Sequence, residues 1–307
     1  IAAAPRESDA CFAAAYQRYT RYVHPLAEAP CDLATILDLL DHHRQQEERN
    51  AGRVFAVGFT PWKHPWVRRF CRGATITFHD RLPRRAERTP GARVLTWGID
   101  GKRRLRTTLP ITIMEDAFIR SRGLGSDKIP PLSVMLDPIG IYYDPSQPSQ
   151  LERILATHAF TAADLAQGQA MIDFLVTGGI TKYNLPARPA PPRTPHRERV
   201  LVPGQVPDDA SIRYGAPPAL QSNLALLRRV RADFPAAEIV YKPHPEIVAG
   251  NRTDPASEAE LAAVVDAVWP GVGGVEAIAA SDRVATLTSQ MGFEALLRGK
   301  PVRCYGW

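Results

Sequence analysis

Cysteine is scarce and poorly spaced. Cys11, Cys31, Cys71 and Cys304 lie far apart, which fits neither a metal-ligand pattern nor a disulfide framework and points to reduced thiols in a cytoplasmic protein. No apolar run approaches the roughly 20 residues of a membrane helix. The opening IAAAPRESDA lacks the basic region and apolar core of a secretory signal. Aromatic residues make up only 8% of the chain and rarely interleave with its arginines, which argues against nucleic acid as a partner. Gly-rich phosphate fingerprints are missing too. The segment SRGLGSDKIPP, residues 121–131, has glycines but neither P-loop nor dinucleotide spacing.

What remains is ordinary globular composition: 307 residues, 45% apolar and 23% charged, enough for one large or two medium domains. The net charge of +6 gathers at Arg68, Arg69 and Arg72, at Arg81, Arg84 and Arg85, and at Lys102, Arg103, Arg104 and Arg106. Such a face is usually just solvated; functionally it suits an anionic sugar, a nucleotide or an acidic membrane surface.

Residues 1–50 read as helical, with Asp32 as the N-cap of a helix over 33–46. Strand candidates then alternate with helices. Strands are expected over 53–59, 74–78, 93–97 and 110–114, and a short pair over 132–136 and 139–143 around Asp137. Helices follow over 150–158 and 162–176, the second capped by Thr161 and stopped by Gly178 and Gly179. Residues 186–197, PARPAPPRTPHR, form a proline-rich basic linker. The pattern restarts after it, with strands over 199–202, 238–241, 283–287 and 302–305 and helices over 219–234, 258–268, 275–280 and 292–298. The expectation is two α/β, Rossmann-like domains, 51–185 and 198–307, each with a parallel sheet and facing each other across a cleft.

Two stretches of the second domain carry chemistry. EIVYKPHP, residues 238–245, ends a strand in Lys242, Pro243, His244 and Pro245. ATLTSQMGFE, residues 285–294, breaks at Thr288 and Ser289 and opens a helix carrying Glu294. Strand end, loop and helix start together hold an anion, because free backbone N–H groups and the helix dipole favour negative charge. Lys242, His244, Thr288 and Ser289 suit a phosphate ester, and Glu294 suits ribose hydroxyls. Taken singly, His-Pro is a turn and Thr-Ser an N-cap; two such signals in one sheet favour a nucleotide site. Gln205 and Arg213 are weaker donor contacts. In the first domain Glu115 and Asp116 follow a strand, where open parallel sheets place ligands. One carboxylate can act as base or nucleophile while its neighbour tunes it; the structural alternative makes Asp116 a helix cap. Arg120, Ser121 and the loop at Gly123, Gly125 and Ser126 suit a substrate carboxylate. Lys63 and His64 either face an acceptor or form a solvated pair.

Five blocks together carry a resemblance: GFTPWKHPWVRRF, EDAFIRSRGLGSDKIPPLSVMLDPIGIYYD, VLVPGQVPDDASIRYG, IVYKPHPEIVAGNR and LTSQMGFEALLRGKPVRCYGW. In this order they resemble the KpsC/LipB-type capsule polysaccharide proteins, which are retaining β-Kdo transferases. The resemblance spans nearly the whole chain. It implies a GT-B fold, CMP-β-Kdo as donor, a Kdo-terminated glycolipid acceptor at the cytoplasmic face of the inner membrane, peripheral association with that anionic membrane, and no metal. It also implies double displacement through Asp116 with Glu115 beside it. The acid pair, His244-Pro245 and Thr288-Ser289 match motifs that bacterial GT-B sialyltransferases share. Ala117 stands where the family has Gly after the acid pair. The family also continues past Trp307, so a C-terminal catalytic module with a shortened last lobe is expected. The competing readings are a transferase of another CMP-sugar, sialyltransferase-like, and a non-catalytic module that binds sugar nucleotide or capsule lipid.

Overall fold

The computed structural model describes residues 8–25, 27–193 and 196–307. The chain opens with helix α1 (Ser8–Phe12), which runs on as a π-helical segment over Ala13–Tyr19. A small antiparallel hairpin, β1 (Tyr22–His24) and β2 (Ala29–Cys31), follows where the sequence suggested helix only. Asp32 caps α2 (Leu33–Asn50), its carboxylate accepting from the Thr35 N–H.

The first sheet is built from β3 (Gly52–Val57), β4 (Ala74–His79), β5 (Arg93–Trp97), β6 (Ile111–Asp116) and β7 (Val134–Asp137), with helices α3 (His64–Phe70) and α4 (Gly98–Arg104) between strands. Its order is β4-β3-β5-β6-β7, parallel except that β7 runs antiparallel to β6. Two expectations are corrected here. Strand β6 extends through Glu115 and Asp116, because β7 pairs with both, Met135 opposite Glu115 and Val134 opposite Asp116; Asp116 caps no helix. Residues 139–143 form no strand, since the Asp137 carboxylate accepts from the Ile139, Gly140 and Gln150 N–H groups and curls the chain instead. Helices α5 (Gln150–Thr157) and α6 (Ala162–Thr177) follow, each opened by a capping box, from Ser149 and Thr161.

Linker residues 186–193 are tied down: Arg188 bridges to Val272, and the Pro192 carbonyl accepts from Arg199. Thr194 and Pro195, also in that expected linker, lie outside the described residues. The second sheet contains β8 (Arg199–Pro203), β9 (Glu238–Lys242), β10 (Ala267–Val268), β11 (Arg283–Thr286) and β12 (Val302–Cys304) in the order β10-β9-β8-β11-β12, all parallel. Its helices are α7 (Ala210–Gly215), α8 (Asn223–Asp233), α9 (Pro245–Val248), α10 (Glu258–Ala262), α11 (Gly274–Ala279) and α12 (Gln290–Leu297). The helix expected over 258–268 stops at Ala262, and its tail becomes edge strand β10.

Central strands β8 and β9 are buried at every position, as a parallel sheet covered on both faces requires. Val200, Val202, Ile239 and Tyr241 pack against Leu226, Leu227 and Val230 of α8 on one face. Leu201 and Val240 pack against Ala277 and Ile278 of α11 and Ala295 of α12 on the other. Arg199 and Glu238, opposite each other at the strand starts, form a buried bidentate pair at 2.9 and 3.2 Å, with the guanidinium over Trp269. In both sheets the strand order reverses beside the first strand, between β3 and β5 and between β8 and β11. These are the places where open α/β sheets take ligands.

Candidate active site

A cavity of about 1680 Å³ lies between the carboxyl ends of the two sheets. Glu115, Asp116, Arg120 and Gly125 line it from the first half; Gln205, Lys242, His244, Thr288, Ser289 and Glu294 line it from the second. Ser121 sits behind this lining, where its hydroxyl accepts from Arg120 and donates to the Gly123 carbonyl. The halves meet at the rim through Tyr214 and Arg213 with Asp100, Asn251 with Ser126, and the Phe118–Phe293 rings.

Neighbouring residues of a strand point to opposite sides, and the acid pair obeys this at the end of β6. Glu115 turns toward Tyr143, whose hydroxyl donates to Oε2 at 3.2 Å, and its Oε1 accepts from the Asp116 N–H at 3.0 Å. The close packing beside it needs Gly98, which has φ +61° and where a Cβ would stand 3.2 Å from Glu115 Oε2. Burial, and then the charge of Asp116, push the Glu115 carboxyl up to about 7. Asp116 turns toward Arg120, whose Nε donates to Oδ2 at 2.7 Å. Its Oδ1 is buried without a hydrogen-bond partner among the described residues. The Arg120 guanidinium is itself buried, divided between Asp116 and Ser121 and backed by Gly125, where a Cβ would come within 2.9 Å of Nη2. One acid is thus poised near neutral pH and the other is held by a cation, a division of labour that two adjacent carboxylates need for acid–base work.

Across the cavity, His244 caps α9: its Nδ1 accepts from the Glu246 N–H, so the neutral ring presents Nε2–H as a donor. Burial, then the charge of Lys182, lower the His244 pKa to about 4 and keep the ring neutral. Ser289 caps the eight-residue helix α12, its hydroxyl accepting from Met291. The Gln205 side chain joins the ends of β8 and β11, its amide donating to Thr288 Oγ1 at 2.7 Å and its carbonyl accepting from the Thr288 N–H at 3.1 Å. Glu294 is buried, and one oxygen accepts from the Lys182 N–H at 2.9 Å. Donor hydroxyls, a neutral imidazole N–H and a helix start line the same cavity, a set that suits a phosphate.

Residues 102–307 match the family described as "Capsule polysaccharide biosynthesis protein". The chain belongs to that family. It is 38% identical to the capsule polysaccharide modification protein LipA of Neisseria meningitidis serogroup A, over 99% of this chain and 44% of LipA. It is 35% identical to the lipopolysaccharide-processing protein LpsZ of Rhizobium meliloti, over 66% of this chain and 47% of that protein. The chain therefore spans less than half the length of these curated relatives. Two solved structures of Thermosulfurimonas dismutans KpsC are similar. One, described as a beta Kdo 2,7 transferase, is 34% identical with a TM-score of 0.67, covering 83% of this chain and 79% of that one. The other, a beta Kdo 2,4 transferase, is 30% identical with a TM-score of 0.69, covering 82% and 79%. The resemblance to KpsC-type capsule proteins read from the motifs is borne out.

In this capsule-family chain several candidates have duties besides facing the cavity. The Lys242 ammonium donates to the Val272 carbonyl at 2.5 Å, and burial lowers its pKa. Arg213 is outside the lining and pairs with Asp100. His64 is also outside it: Nε2 contacts the Phe59 carbonyl and the ring stacks on Phe78 at 3.7 Å. Lys63 does face the cavity, 3.2 Å over the Trp97 ring, with its pKa lowered by burial to about 8. The motif reading missed Tyr143 and Lys182. Tyr143 lay within a quoted block; Lys182 has no local signature. Among the described residues, no group of three or more His, Cys, Asp or Glu side chains is placed to hold a metal ion, and no helix is long and apolar enough to cross a membrane.

Proposed function

We propose that this chain is a GT-B glycosyltransferase that moves Kdo from CMP-β-Kdo onto a Kdo-terminated glycolipid acceptor, with retention, on the cytoplasmic side of the membrane. The supporting observation is a single one: a polarised acid pair and a set of donors suited to a phosphate line one cavity. The KpsC structures, described as beta Kdo transferases, favour Kdo over other sugars.

In the first step Asp116, held by Arg120, attacks the anomeric carbon. The bond to the CMP phosphate breaks and the phosphate leaves as an anion. The His244 Nε2–H, the Ser289 hydroxyl and the α12 N-terminus meet the leaving charge, while Glu294 takes ribose. A phosphate ester leaves without protonation, so no acid is needed here and no metal is invoked. In the second step Glu115 takes the proton of the acceptor hydroxyl as that oxygen displaces Asp116. Two inversions give net retention.

Wild-type protein incubated with CMP-Kdo and no acceptor should yield an Asp116-bearing peptide heavier by one Kdo residue, and Asp116→Asn should yield none. An adduct on another residue would overturn the assignment. Turnover of CMP-sialic acid instead of CMP-Kdo would favour the other-sugar reading, and binding without turnover the binding-module reading. Turnover in EDTA should equal that without it.

A further inference from the structure

Among the described residues, the main chain of the lining cation Lys182 ties the two halves together beside the acid pair. Its carbonyl accepts from the Arg120 and Ser121 N–H groups at 2.9 and 3.2 Å. Its N–H donates to Glu294 of α12. The position is therefore fixed from both sides. The ammonium makes no hydrogen bond among the described residues; it lies 5.4 Å from the Tyr183 ring centroid, and that ring meets His244 edge-on at 6.2 Å. Burial works against its charge, but Tyr183, Tyr142, Asp116 and Glu115 raise its pKa, so it faces the cavity as a cation with its donors free of hydrogen bonds to the described residues.

Of the other cations nearby, Arg120 holds Asp116 and Ser121, Lys242 holds the Val272 carbonyl, and Lys63 lies over the Trp97 ring. The cradle for the leaving phosphate already has its donors. A sugar acid whose carboxylate hangs on the anomeric carbon must put that carboxylate between the leaving phosphate and the attacking acid. Lys182 lines the cavity together with Glu115, Asp116 and His244, and its charge acts on all three.

Resting on the Kdo-transfer reading, we propose that the Lys182 ammonium binds the anomeric carboxylate of the donor sugar and so selects 2-keto sugar acids over neutral sugars. The same charge holds the Glu115 carboxyl lower than it would otherwise be, so its removal also moves the pH profile.

The test compares wild type with Lys182→Met and Lys182→Arg, after circular dichroism and melting confirm that each is folded. CMP-Kdo KM, calorimetric affinity for CMP alone, and the pH dependence of kcat/KM are measured. Lys182→Met should raise the CMP-Kdo KM about tenfold to a hundredfold, the range of one charge-assisted hydrogen bond, and leave CMP affinity within about threefold. Its rising pH limb should move upward, and Lys182→Arg should recover most of the loss. Equal weakening of CMP and CMP-Kdo would assign Lys182 to phosphate and overturn the proposal, as would an unchanged KM. Wild type that binds CMP but transfers no Kdo would sink the functional reading instead; wild type that binds neither would sink both.

Discussion

Glu115→Gln separates stability from activity. The carboxyl ionises at about 7 in the folded chain against an ordinary 4.5. Between those values the native state keeps a proton that the unfolded chain has lost, so stability falls as pH rises through 7. At about 1.4 kcal/mol per pH unit the displacement corresponds to about 3 kcal/mol. Glutamine does not titrate, and both contacts survive it: its carbonyl accepts from the Asp116 N–H, and its amide donates to Tyr143. The variant should therefore melt close to wild type at pH 5 and roughly 6 to 12 °C above it at pH 8.5. Without a base, transfer should fall by about 10² to 10⁴, and the rising limb of kcat/KM near pH 7 should vanish. The assays are melting by circular dichroism from pH 5 to 9 and CMP release over the same range. A stability gap that stays flat with pH, or full activity in the variant, would refute the reasoning.

Gly125→Ala would drive a methyl into Arg120 Nη2; kcat should drop at least about tenfold with CMP affinity unchanged, since Arg120 must leave Asp116, and a calorimetric loss of CMP binding would contradict this. Arg199→Ala strands Glu238 at the buried start of β9 and should cost about 3–5 kcal/mol in urea unfolding; a cost under about 1 kcal/mol would mean the pair is dispensable.

Local chemistry made much of the fold legible. The apolar runs at β8 and β9 read as buried strands because parallel strands are apolar on both faces. Asp32 and Thr161 announce their helices because the caps bond within three residues. The strand end expected at 114 missed for the opposite reason: the strand state of Asp116 depends on pairing with Val134, a contact that no window around 116 contains. The same holds for the site. His244 and Ser289 were readable as motif positions, but Gln205 meets Thr288 across 83 residues and Lys182 meets Glu294 across 112. Arg120 was read as a hand for substrate because its residue type suits carboxylates; its contact with Asp116 comes from tertiary packing.

The antiparallel join of β7 to β6 determines which acid meets the tyrosine and which the arginine. Were β6 to slide by a single position, one acid would take the other's place on the strand and the second would be carried one residue past the pair. Only one of the two present surroundings, tyrosine or arginine, would then hold a carboxylate. A one-residue insertion or deletion just before the acid doublet would thus undo the proposed division between the two acids rather than exchange it.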